Sequence, residues 1–159
     1  LRELALKEVA MRVEKKVETQ VVAEGKLYHE YLMAVIDSSE KRARRVIRKT
    51  ARLATHMNAA FIVLYVQSDK EDMNRIPLAN QRYLINNFNL ASELGGEVVR
   101  VHSNRYIETI VNVCQKRKIS TVCISVPRFS LYPLFVTALR FRYLLNRLAK
   151  LNVDLIILS

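Results

Sequence analysis

Hydrophobic positions in this chain change their spacing several times along its length, and each change marks a new element. Over residues 1–24, Leu4, Leu6, Val9, Ala10, Val13, Val17 and Val21 recur at a helical period with charges between them. Gly25 supplies the stop, so an amphipathic N-terminal helix is predicted there. Leu32–Ile36, LMAVI, is instead a continuous apolar run bounded by polar residues, which predicts a buried strand. DSSE then places capping residues and an acid at the entrance to a helix from Glu40 to about Met57. On that helix Ala43, Val46, Ile47, Ala51 and Ala54 share one face, and Lys41, Arg45, Arg48 and Arg52 another.

A second apolar run, Phe61 to Val66, predicts the next strand. The polar stretch QSDKEDMNRIP reads as a loop leading into a helix from about Leu78 to Leu94, ended by Gly95 and Gly96. EVVRVHS alternates as a strand, and the amphipathic helix after it has Asn104 as its expected cap. STVCIS is the fourth strand, Phe135 to Lys150 has helical periodicity, and Val153 to Leu158 is the fifth strand. Apolar strands alternating with helices predict an α/β fold, a doubly wound five-stranded parallel sheet preceded by the N-terminal helix. Ligands of such sheets bind beyond the carboxyl ends of the strands, where strand order reverses. The loops that matter most are therefore IDSSE after the first strand and SVPRFS after the fourth.

With 159 residues, 50% hydrophobic and 26% charged, the chain has the make-up of one compact domain. No apolar stretch approaches the roughly 20 residues that cross a bilayer. Cys114 and Cys123 lack metal-ligand spacing, and His56 and His102 have no acidic or thiol neighbours in sequence, so reduced thiols, no metal and a cytoplasmic setting are expected. The net charge of +11 raises a nucleic-acid reading. Its distribution over separate segments, without interleaved aromatics, argues against that and for a basic face meeting solvent, an acidic neighbouring domain or lipid headgroups. The chain opens at Leu1 and closes at Ser159 inside strand-like residues, and it reads as part of a larger protein.

VIDSSEKRARRVIRKTARLATHMNAAFIVLYV, with LASELGGEVVRVHS further on, resembles the universal stress protein-like domain of the KdpD-type sensor histidine kinases. LRELALKEVAMRVEKKV is similar to the helical stretch that in this family leads from the preceding ATP-binding sensor domain. The resemblance implies two parts, a linking helix over 1–25 and a universal stress protein-like domain over 26–159. It implies a non-enzymatic regulatory module of a membrane-anchored two-component receptor, with its nucleotide-binding and kinase machinery elsewhere.

The family's ligands supply the candidate site. Stress proteins that bind ATP use an aspartate after the first strand, matched by Asp37, and a glycine-rich phosphate loop after the fourth. SVPRFSLYPLF contains no glycine: Ser125, Arg128, Ala138 and Leu139 stand at the family's glycine and hydroxyl positions, and Pro127 offers no N–H. Arg128 and Ser130 remain able to meet an anion through their side chains. Some KdpD-type domains bind cyclic di-AMP through a serine pair and an aromatic pair. Ser38 and Ser39 stand near the first, with Glu40 where a hydroxyl is expected, and Phe61 and Tyr65 keep the aromatic spacing. Each of these residues also has a purely structural use, as a helix cap or a strand aromatic. FSLYPLFVTALRFRYLL carries more apolar surface than one helix face buries, so a partner is expected there: another receptor domain, a second copy through the last strand, or the membrane interface.

Overall fold

The computed structural model describes residues 30–69, 75–126 and 134–159, with side chains from 136 onward in the last segment. The helix read over 1–24 lies outside the described residues, as do Arg128 and Ser130. Among the described residues five strands, β1 (Tyr31–Ile36), β2 (Ala60–Gln67), β3 (Glu97–His102), β4 (Thr121–Ser125) and β5 (Asp154–Leu158), alternate with four helices. The helices are α1 (Glu40–His56), α2 (Leu78–Glu93), α3 (Tyr106–Arg117) and α4 (Leu134–Ala149). All strand pairs are parallel, in the order β3-β2-β1-β4-β5. The doubly wound sheet read from the apolar runs is the one observed.

Strand alternation divides the core into two layers. Leu32, Ala34 and Ile36 of β1 join Phe61, Val63 and Tyr65 of β2 beneath α1 and α2. Met33 and Val35 join Ile62, Leu64 and Val66 beneath α3 and α4, where Ile110, Cys114, Leu144 and Leu148 close the layer. Register sets this division: Met33 lies level with Ile62 on one side and Val122 on the other. Leu32, Met33 and Ala34 are wholly buried, so β1 must be apolar without alternation.

All four helices stop in the same way. The residues after them, Asn58, Gly95, Lys118 and Asn152, take left-handed φ values of 47°, 83°, 52° and 53°. The next amide then reaches back to the last turn: Ala59 to Ala54 O, Gly96 to Ala91 O, Ile119 to Cys114 O and Val153 to Leu148 O, at 2.8–3.1 Å. Gly95 is the strongest of the four signals in the sequence, and Lys118 gives none. The helix starts differ from expectation. Arg105, not Asn104, is the residue before α3, because the Asn104 side chain is drawn to Asp69 at the end of β2. Ser39 precedes α1 without a side-chain capping bond, since Asp37 takes that role.

Gly96 serves a different purpose from Gly95. A Cβ there would lie 2.4 Å from Cε2 of Phe61, a ring fixed between the sheet and the α2 turn. Gly96→Ala is expected to destabilise the fold by about 1–3 kcal/mol through overpacking, read as a lower urea midpoint at unchanged slope.

Candidate functional site

Strand order reverses between β1 and β4, and the helices that follow these neighbours, α1 and α4, pack on opposite faces of the sheet, which opens a cleft at the strands' carboxyl ends. The cleft has a volume of about 580 Å³. Its floor is Val35, Ile110, Ile124 and Leu144, its α4 side carries Thr137, Arg140 and Phe141, and Asn104 and Arg105 approach from the end of β3. Ser125 and Val126 border it where β4 ends.

Asp37 reaches the cleft because it continues the odd-numbered face of β1 that Val35 occupies. One carboxylate oxygen accepts the Ser39 amide at 3.0 Å, capping α1. The other accepts from Arg42 Nη2, an ion pair across the first turn of the helix. Arg42 also lines the cleft, and its Nε is buried with no acceptor. Glu108 is likewise engaged, accepting from Tyr143 Oη at 2.6 Å and from Arg147 Nη1 at 3.2 Å, which ties α3 to α4. Both carboxylates of the cleft are therefore compensated. Among the described residues, the guanidinium groups of Arg105 and Arg140 have no ion-pair partner, and both are exposed.

The candidate residues do not all converge. Asp37 lines the cleft, while Ser38 and Ser39 stand at the entrance to α1. Phe61 and Tyr65 point the other way. As odd-numbered residues of β2 they fall in the layer under α1 and α2, where Tyr65 is fully buried with its ring edge-on to Phe88 at 5.9 Å. An aromatic pair on that face cannot reach a ligand lying against Asp37. Leu139, at the expected hydroxyl position, is 48% exposed on α4, and the hydroxyl-bearing residues that line the cleft are Tyr106, Ser125 and Thr137. Arg42, Arg105, Arg140 and Thr137 were not legible as site residues. Only Arg42 left a trace, a cation one turn beyond the strand-end aspartate.

His102 does acquire an acidic neighbour through the fold, its Nε2 lying 2.8 Å from Asp69. Even so, no group of three or more potential ligands is assembled among the described residues. Cys114 and Cys123 are free and buried. Burial pushes the Cys114 thiol up to about 12, the bond to its own backbone acting weakly in the other direction. Burial also raises Cys123, and the nearby Thr50 hydroxyl offsets this only in small part. Neither thiol is a nucleophile near neutral pH.

No protein-family model matches the chain. Among solved structures, a universal stress protein in complex with cAMP superposes with a TM-score of 0.54 at 17% identity, over 83% of this chain and 97% of that one. A universal stress protein from Archaeoglobus fulgidus gives 0.55 at 15% identity, over 82% and 98%. The fold is therefore that of the universal stress proteins. In sequence, the chain is 31% identical over 128 residues to the sensor protein KdpD of Clostridium acetobutylicum, a match covering 78% of this chain and 14% of that protein. It is 24% identical over 156 residues to a putative sensor protein KdpD of Synechocystis, covering 98% and 41%. The chain is a universal stress protein-like domain of the KdpD sensor family, and it spans well under half the length of these relatives.

Asp37→Ala removes both the cap of α1 and the partner of Arg42, and is expected to cost about 1–2 kcal/mol, measured by thermal or urea unfolding. The thiols predict a pH dependence of definite sign. Folded Cys114 keeps a proton that the unfolded thiol releases above its ordinary 9.0, so its contribution is intact below pH 9 and is lost as pH rises toward about 12. Iodoacetamide at pH 8 should label neither cysteine until denaturant is added.

Proposed function

We propose that this chain is a cytoplasmic regulatory module of a KdpD-type two-component sensor histidine kinase, relaying signal through contacts with other domains of the same protein. The observation that carries this reading is the sequence relationship, in which most of the chain matches a small part of a much longer sensor protein. Phosphoryl transfer by the parent belongs to segments other than this one, and the parent is anchored in a membrane. No helix among the described residues is long and apolar enough to provide that anchor.

Surfaces available for relay support the reading. Val136, Leu139 and Tyr143 recur at helical spacing on α4, each between 43% and 48% exposed, and Leu145, 40% exposed, lies on the opposite flank of the helix. β5 is an edge strand with Ile157 46% exposed, which suits pairing with a second copy through the last strand. Val136→Glu combined with Leu139→Glu should abolish association of this chain with the remainder of its parent in a calorimetric titration. Unchanged association would remove α4 from the relay.

A second reading, a nucleotide sensor taking ATP or cyclic di-AMP, is favoured by the cleft at the strand-order reversal and by the cAMP complex of a protein with the same fold. It is separable by melting. A ligand at a hundred times its Kd adds about 2.7 kcal/mol, roughly 5–10 °C in midpoint for a domain of this size. An increase with millimolar ATP or cyclic di-AMP supports the sensor, and an unmoved midpoint leaves relay by contact alone.

A further inference from the structure

We propose that the cleft beside β1 and β4 binds an organic monoanion with an apolar body, in chemical class a medium-chain carboxylate or an aryl sulfonate. Its head group would meet Arg105 and Arg140. This rests on the ligand-sensing reading and narrows it, replacing the nucleotide by a different kind of molecule.

Three observations converge. First, the interior is aliphatic: Ile110, Leu144 and Val35 are 0%, 5% and 4% exposed, and their side chains with Ile124 form a floor that offers no hydrogen bonds. A volume of about 580 Å³ falls within the range of small-molecule sites, roughly 300–1,000 Å³. Second, the charge is unbalanced in one direction. Asp37 is held by Arg42 and the α1 amide, and Glu108 by Tyr143 and Arg147, so the lining retains two uncompensated guanidiniums. Third, Arg42 contributes a buried Nε donor without an acceptor, on the wall that also holds Asp37.

The same features disfavour a nucleoside polyphosphate. Ribose hydroxyls would turn to the carboxylate at the end of β1, and it is already doubly engaged. A triphosphate needs closely approaching backbone amides, and the chain leaving β4 has no glycine from Ser125 to Phe135. Two arginines above an aliphatic floor match one negative group and a hydrocarbon tail.

The test uses the 159-residue chain with 1-anilinonaphthalene-8-sulfonate as fluorescent probe and straight-chain alkanoates as competitors. One molar equivalent should bind, and competition should strengthen about three- to fourfold for each methylene from hexanoate to decanoate. Arg105→Ala with Arg140→Ala should weaken binding at least tenfold without lowering the unfolding midpoint. Arg48→Ala with Arg52→Ala, which removes equal charge from the outer face of α1, should leave binding unchanged. Equal binding by the Arg105/Arg140 variant, or no displacement by decanoate, would overturn the proposal. Should ATP displace the probe where decanoate does not, the nucleotide reading stands and this one fails. If neither displaces it and no ligand raises the melting midpoint, ligand sensing fails as well.

Discussion

Complete burial of β1 is the constraint on which the other features depend. As the middle of five parallel strands it has a neighbour on each side and a helical layer above and below, so Leu32, Met33 and Ala34 lose all contact with water. A strand enclosed in this way cannot carry a polar residue until it emerges, and the first one after the run is Asp37. Because the order of strands reverses at β1 and β4, the point of emergence also lies between helices on opposite faces, α1 and α4. The location of the cleft is thus a consequence of topology rather than of any particular side chain.

What occupies that location is decided by local electrostatics. A carboxylate at the mouth of a sheet would ordinarily be open to a ligand, but here the chain turns at once into α1, whose first turn brings both an amide and Arg42 to it. Helix capping and ion pairing work together, since both place the negative group at the positive end of the helix. Across the cleft, the Glu108–Tyr143–Arg147 network joins α3 to α4 in the same manner. With its acids consumed by structure, the cleft keeps an aliphatic base and cationic rim.

The helical layers carry the remaining character of the domain. α1 buries alanines, valine and isoleucine against the sheet and turns Lys41, Arg45, Arg48 and Arg52 to solvent, with Glu40 its only acid. The aliphatic stems of these side chains and their charges together keep that face hydrated. α4 has the opposite balance, with large apolar groups left outside, and lies against the exposed edge strand β5. The other edge, β3, is instead dressed with charge through Glu97, Arg100 and Arg117.

Element order and sheet class followed from the sequence alone, because the period of apolar residues reflects how many faces each element buries, a property local to the segment. The IDSSE loop was legible for the same reason, and within it Asp37 was singled out by the resemblance to the stress proteins. Strand order and register were not local, and they decided the site. Register sent Phe61 and Tyr65 to the layer under α1 and α2, away from Asp37, although their spacing in sequence matched a ligand-binding pair. Folding also brought Arg105 from the end of β3 and Arg140 from α4 to one cleft, and linked Asn104 to Asp69 instead of the helix it precedes. Of the left-handed helix ends without glycine, Asn58 and Asn152 are residues that tolerate this conformation, whereas Lys118 has no such preference and gives no signal in sequence. Sequence fixes what a segment buries; which segments then face one another depends on the strands that pair, and that is a property of the whole chain.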